Sequence, residues 1–286
     1  ARLYYTSRLL EVVENTRKQL VAVLEVAESR YGAGKGAQTE ILKGIEQIAL
    51  LEQRQLRLKQ EQSVADAEIL RLLNRSSGSL AGVALEAPSG RLDVSLEELM
   101  AVLDEAPERR QKQAMSEKAE LQVALARREA YPDFTISAGY FNMGEMPDMY
   151  EFRLELAWPG WTRSRRKAVV REQQFEQSRA QAEEKSIAGD LAYRVRAYYE
   201  AARTAGRLAA LYSETLLPQA DLAIESALSA YQTGRGDFEQ ALNALLARNS
   251  FEEQYHNEML ALATALARLE EITGSGLPEL KTGGEK

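Results

Sequence analysis

Two spacings of apolar residues organise this chain. Leu10, Val13, Arg17, Leu20, Leu24, Ala27 and Tyr31 step three and four positions apart, and so do Leu217, Ala220, Ile224, Ala227 and Tyr231. Tyr255, Met259, Leu262, Leu266, Leu269 and Ile272 continue the pattern. An average near 3.5 residues is the coiled-coil period, so these stretches predict long helices packed along their length. A period of two marks the middle of the chain. Phe134, Ile136, Ala138 and Tyr140 alternate with Thr135, Ser137 and Gly139, and Phe152, Leu154, Leu156 and Trp158 alternate with Glu151, Arg153, Glu155 and Ala157. With Gly144 and Pro147 between them, these segments predict a β-hairpin with one apolar and one polar face.

The helical pattern occurs twice at a fixed offset. Residues 31–37 read Tyr-Gly-Ala-Gly-Lys-Gly-Ala, and residues 231–237 read Tyr-Gln-Thr-Gly-Arg-Gly-Asp, an offset of 231 − 31 = 200. Upstream, Leu20, Leu24 and Ala27 match Ala220, Ile224 and Ala227; downstream, Leu42, Glu52 and Ala67 match Leu242, Glu252 and Ala267, without a gap. A duplication explains this register. Each repeat reads as helix, glycine turn, helix: an antiparallel hairpin whose glycines accept positive φ.

Between the repeats, Ser76-Ser77-Gly78 and Pro88-Ser89-Gly90 predict loop within 74–95. Ser95 and Glu98 have capping-box spacing ahead of a short helix to about Glu105, and Pro107 opens a helix running to about Ala130. From Thr162 to Tyr231 the pattern is helical for 70 residues, interrupted by Gly189, Gly206 and Pro218, where a kink is expected. At 1.5 Å per residue that is ~105 Å of helix, longer than a compact domain needs. The expected organisation is a first helical hairpin over 1–74, a linker with short helices over 75–130, the β-hairpin over 131–161, a long helix and second hairpin over 162–274, and a tail over 275–286.

Composition narrows the function classes. Sparse glycine, seven prolines and an excess of Ala, Leu, Glu, Gln and Arg suit long helices. A net charge of −7 with both signs interspersed argues against nucleic acid as a partner. Without cysteine there is no disulfide or thiolate chemistry, and no apolar run approaches the ~18 residues of a spanning helix.

Taken in order, Ala106-Pro107-Glu108, Tyr131-Pro132-Asp133 before the first strand, Trp158-Pro159-Gly160 after the second, and the two Tyr-x-x-Gly turns resemble the TolC-like outer-membrane factor family, over nearly all of 1–274. The overall pattern is nearest to heavy-metal and drug-efflux members. The resemblance implies a homotrimer in which each chain gives strands to an outer-membrane barrel and helices to a periplasmic tunnel. It implies a passive duct in a tripartite pump, docked to a periplasmic adaptor and served indirectly by an inner-membrane transporter, with no cofactor. The family's Val-Gly-Leu-like docking triplet falls on Ala33, Gly34 and Lys35 and on Thr233, Gly234 and Arg235, with basic residues where the family has leucine. Aperture-lining aspartates of some members fall on Gln240 and Asn243, and on Glu40 and Lys43 in the first repeat; Asp237 is a further acidic candidate. Tyr131, Tyr150, Trp158 and Trp161 take the place of membrane-interface aromatics. Trp161 minus 200 falls at −39, so the first long helix is read as cut at its start and its strand hairpin as missing here. The chain is therefore read as part of a longer protein, three copies supplying six strands rather than twelve.

Other chemistry is weakly represented. His256 is the lone histidine, on a helix among acidic residues, and reads as a solvated face rather than a metal ligand. Met143, Met146 and Met149 lack a nearby His or Cys for soft-metal binding. Arg163, Arg165, Arg166 and Lys167 read as interfacial anchors, and Glu183/Glu184 and Glu252/Glu253 as exposed helix faces. No nucleophile stands with a base, so an enzyme is not expected. The rival class is a soluble coiled-coil scaffold or tether without a pore, which has no use for an apolar hairpin face.

Overall fold

The 3.5-residue stripes fold as helices and the period-two segments as strands. A computed structural model describes residues 1–75, 90–129, 131–145, 147–157 and 163–274. In chain order these form α1 (Arg2–Gly32), α2 (Gln38–Leu72), α3 (Leu96–Ala101), a 3-10 turn (Val102–Glu105), α4 (Pro107–Arg128), β1 (Asp133–Phe141), β2 (Met149–Ala157), α5 (Arg163–Leu211), a π turn (Tyr212–Leu216), α6 (Leu217–Gln232) and α7 (Phe238–Thr273). The class is mainly α with one two-stranded antiparallel sheet. The predicted loop at 76–89 and tail at 275–286 lie outside the described residues.

The chain forms two compact units. One contains Ala1–Leu96 and Arg196–Glu271; the other contains Glu97–Val195 and Ile272–Gly274. In the first, the stripes of α1, α2, α6 and α7 meet. Leu9, Val13, Leu20, Val23 and Ala27 bury against Leu51 and Leu58 of α2, Tyr231 of α6, and Phe238, Ala241, Leu242 and Leu245 of α7. Leu20 and Leu58 are fully buried, each contributing about 1.5–3 kcal/mol. A polar chain crosses this core. Arg54 of α2 pairs with Glu253 of α7 at 3.2 Å, Asn249 donates to Glu253 at 3.1 Å, and the Thr16 hydroxyl of α1 donates to Asn249 at 2.7 Å. Sliding any of these helices by a turn would leave buried polar atoms unpaired, so the chain fixes their axial setting.

The irregularity expected at Pro218 takes the form of the π turn just upstream. Proline lacks an N–H and its ring crowds the carbonyl four residues back. The π turn relieves the crowding, and Pro218 sits in the first turn of α6, where a missing donor costs little.

In the second unit, α4 and α5 are tied by Lys112–Glu183 and Glu108–Arg194, both at 2.8 Å. Small and branched residues (Ala119, Val123, Ala126, Ile187, Leu191) are buried there. The short helix expected up to Glu105 is α3 with its 3-10 extension, and α4 begins at Pro107 as predicted. The strands pair in one unbroken register from Asp133↔Ala157 to Phe141↔Met149.

Candidate functional site

Both glycine turns belong to the first unit and share one cap pattern, to which the second adds a bond from Gly236 N–H to the Ala230 carbonyl at 3.0 Å. Gly34 N–H donates to the Tyr31 carbonyl at 2.9 Å and Lys35 N–H to the Arg30 carbonyl at 2.8 Å; Gly234 donates to Tyr231 at 3.1 Å and Arg235 to Ala230 at 2.8 Å. This is the Schellman cap, with its left-handed residue at Gly34 (φ 71°) and Gly234 (φ 75°). A Cβ at either position would meet nothing within 4 Å, so both apices are open. Ala33, Lys35, Thr233 and Arg235 around them are exposed.

Positive φ explains only one glycine of each pair, contrary to the sequence expectation. Gly36 and Gly236 do not have positive φ; close backbone approach requires them. A Cβ on Gly36 would lie 3.1 Å from the Tyr31 nitrogen, and one on Gly236 would lie 2.9 Å from the Ala230 Cβ and 3.2 Å from the Ala230 carbonyl carbon.

The two turns are fastened to each other. The Arg30 guanidinium lies over the Tyr231 ring, 4.5 Å from its centroid, and donates to the Tyr231 carbonyl. The Tyr231 hydroxyl donates to Glu40 at 2.9 Å, and its ring meets Phe238 edge-on at 5.7 Å. Burial, reinforced by the Glu40 carboxylate, pushes the Tyr231 hydroxyl up to about 12. Lys43 pairs with Glu239. Thus Glu40 and Lys43, expected to line an aperture, are joined to the second repeat. Asp237, Gln240 and Asn243 are exposed, and the Asp237 carbonyl accepts the Ala241 N–H at the start of α7. Arg30 and Phe238 are the participants that the sequence did not mark; their repeat counterparts are Ala230 and Gln38, so the duplication gave no signal.

Three expectations about side chains are corrected. His256 is not on a solvated face. It is half-buried beside Tyr5 (6.3 Å between ring centroids) and Tyr255 (5.2 Å), and its Nδ1 is buried without a hydrogen-bond partner. Burial holds its pKa below the ordinary histidine value; Arg8 acts the same way, and Glu252 and Glu11 oppose it. Glu252 and Glu253 are not a free acidic face but partners of Arg248 and Arg54. Glu183 is likewise held by Lys112 and Arg179, which keep its carboxyl below the usual range.

In the second unit the hairpin register puts Phe134/Leu156, Ile136/Leu154, Ala138/Phe152 and Tyr140/Tyr150 on one face. Thr135/Glu155, Ser137/Arg153 and Gly139/Glu151 share the other, where Arg153 sits 2.7 Å from Glu151 and 3.8 Å from Glu155. Both faces are uncovered: Phe152 is 82% and Ile136 72% exposed. At the loop end Tyr140 and Tyr150 lie 5.2 Å apart, and the Tyr140 hydroxyl donates to Asp148 at 2.6 Å. Tyr131, beyond the opposite end, is exposed; Trp158 and Trp161 lie outside the described residues. Arg165 and Lys167 are exposed at the start of α5, whereas Arg166 is half-buried. Among the described residues no helix is long and apolar enough to cross a membrane, and no cluster of three or more metal-binding side chains is present.

No family model matches the chain, and no curated protein matches it in sequence. Solved structures do match in fold. The outer-membrane channel OprN superposes with a TM-score of 0.78 at 15% identity, over 96% of this chain and 64% of its own. The outer membrane protein VceC of Vibrio cholerae gives 0.77 at 18% identity, over 96% and 67%. The MtrE outer membrane channel of Neisseria gonorrhoeae, in its open state, gives 0.74 at 16%, over 97% and 65%. The chain thus has the fold of these channels and spans about two thirds of their length.

Proposed function

We propose that the chain is part of an outer-membrane export duct of a tripartite efflux pump in a Gram-negative envelope. In this reading it acts as a homotrimer, with the hairpin in the outer membrane, the helices in the periplasm, and no catalytic step. The observation that carries it is the hairpin: four apolar pairs face one way, three polar pairs the other, and neither face is covered, within a fold shared with outer-membrane channels. An uncovered apolar face of this kind suits lipid, and the uncovered polar face behind it suits lumen water. The open Gly34 and Gly234 apices, with Ala33, Lys35, Thr233 and Arg235, are the adaptor-docking tips; Glu40, Lys43, Asp237, Gln240 and Asn243 stand next to them at the aperture. The inner-membrane transporter and the efflux branch, heavy metal or drug, belong to the same proposal.

Spin labels on single cysteines test it in membranes. Labels at Ile136 and Leu154 should be quenched by lipid-soluble oxygen, and labels at Ser137 and Arg153 by a water-soluble nickel complex. Equal water access at all four positions would instead support a soluble scaffold or tether.

A further inference from the structure

One groove in the first unit has no part in the export reading. The extended residues 90–93, the last turns of α5 and the middle of α7 border a space of about 620 Å³. Volumes of ~300–1,000 Å³ are usual for small-molecule sites. Its α5 side is built from small residues, Ala202, Gly206, Ala209 and Ala210. Gly206 is the informative one. Glycine inside a helix lowers stability, yet this glycine does not have positive φ, and a Cβ on it would meet nothing within 4 Å. Neither backbone geometry nor close approach calls for it; its effect is to keep the groove open. Charge gives the groove a sign. Arg91, Arg203 and Arg207 line it, against Asp93 and Glu214. Arg203 has only Glu200 at 3.5 Å. Arg91 and Arg207 make no ion pair or hydrogen bond among the described residues, and the hydroxyls of Tyr199 and Tyr255, which also line the groove, make no hydrogen bond.

We propose that this groove binds a small organic anion, a carboxylate, sulfonate or phosphate carried on an apolar body. The guanidiniums of Arg203 and Arg207, one turn apart on α5, offer paired N–H donors that match such an oxyanion, and Arg91 adds a third from the extended segment. The small α5 residues, with Met259 and Leu262 of α7, receive the apolar body, whose removal from water is favourable. The tyrosine hydroxyls supply further donors. Glu214 stands ~10 Å along the helix beyond Arg207. At that distance salt screens much of its repulsion of an anion seated on the arginines. The site is distinct from the turn tips, since Tyr255 lies ~25 Å along α7 from Phe238. It holds whether or not the chain forms a duct.

Two dyes that differ by one group test the site: anilinonaphthalene sulfonate and its uncharged parent, phenylnaphthylamine. In fluorescence titrations of the full chain, the sulfonate should bind more tightly than the parent, and its affinity should fall as salt rises. Arg91→Gln with Arg207→Gln should weaken the sulfonate roughly five- to tenfold and leave the parent unchanged. Gly206→Phe fills the groove and should remove this tighter sulfonate binding. Its melting temperature should be unchanged or raised, because the helix interior gains a better helix former. Glu214→Gln should leave sulfonate affinity unchanged or improve it; a loss there would mean that the groove reads a cation, against the proposal. The uncovered hairpin face also takes up dye, but none of these substitutions touches it. Equal sulfonate affinity in the unsubstituted chain, the arginine variant and Gly206→Phe would therefore place the dye elsewhere and overturn the site.

Discussion

Substituting the two glycines of one turn separates docking from folding. At Gly234 an added Cβ meets open space, so alanine costs only the left-handed backbone strain, about 1–2 kcal/mol. Leucine there should cost the same within ~0.5 kcal/mol, because its further atoms also project outward. At Gly236 the added Cβ presses on the Ala230 carbonyl carbon and the Tyr231 nitrogen, both at 3.2 Å, as well as on the Ala230 Cβ at 2.9 Å. Backbone atoms cannot rotate away, so the cap must distort, at about 1–3 kcal/mol. Thermal unfolding by circular dichroism should read roughly 2–4 °C per kcal/mol. Crosslinking to the adaptor from Thr233 then gives a second, independent readout. Gly234→Leu, or Gly34→Leu in the other tip, should abolish crosslinking at no more stability loss than alanine. Gly236→Ala should lower the melting temperature in proportion to whatever crosslinking it loses. If leucine at Gly34 and Gly234 leaves crosslinking unchanged, or destabilises far more than alanine, the open apices are not docking surfaces.

Three further outcomes follow from the first unit. Tyr231→Phe removes the bond to Glu40 but keeps the ring against Phe238 and Arg30, and should cost about 0.5–1.5 kcal/mol in urea unfolding, with no change in helix content. Asn249→Ala cuts the polar chain between Thr16 and Glu253 and should cost about 1–3 kcal/mol; Thr16→Val should cost less in that background than in the unsubstituted chain, since only the bond to the Val12 carbonyl is left to lose. His256 binds its proton less readily folded than unfolded, so the unfolded state gains protons first as pH falls; stability should be complete above ~6.5 and decline below it, and His256→Phe should flatten urea midpoints measured between pH 5 and 7.5.

Periodicity made the repeats and the hairpin legible in sequence, because each is a many-residue pattern with one solution. The offset of 200 reappears as matched cap hydrogen bonds, and the alternation of 134–140 with 152–156 as the strand register. Features carried by one turn or one contact were not legible. A single π turn is lost in a 70-residue average, so only Pro218 hinted at it. The role of Gly36 depends on where the Tyr31 nitrogen comes to lie, which composition does not encode. Tyr31 and Tyr231 look equivalent in sequence, yet only Tyr231 is covered, because Arg30 and Phe238 have no counterparts at 230 and 38. His256 was misplaced for a related reason: its acidic helix neighbours suggested water, while Tyr5 on another helix covers it.

The two-stranded sheet has a consequence for the order of events in the chain's life. Each nine-residue strand is paired along one side only, and the described residues contain no third strand. The outer sides therefore carry rows of backbone donors and acceptors that water satisfies and hydrocarbon does not. A lone copy that entered lipid would strand those groups, and a lone copy that lingered in water would offer them to any extended segment it met. Both hazards disappear only when strands from other chains, or from elsewhere in the same polypeptide, complete the sheet. If the hairpin works in the outer membrane as proposed, closure coincides with insertion or comes before it, and the charged row of Glu151, Arg153 and Glu155 discourages unrelated β-stacking during the wait.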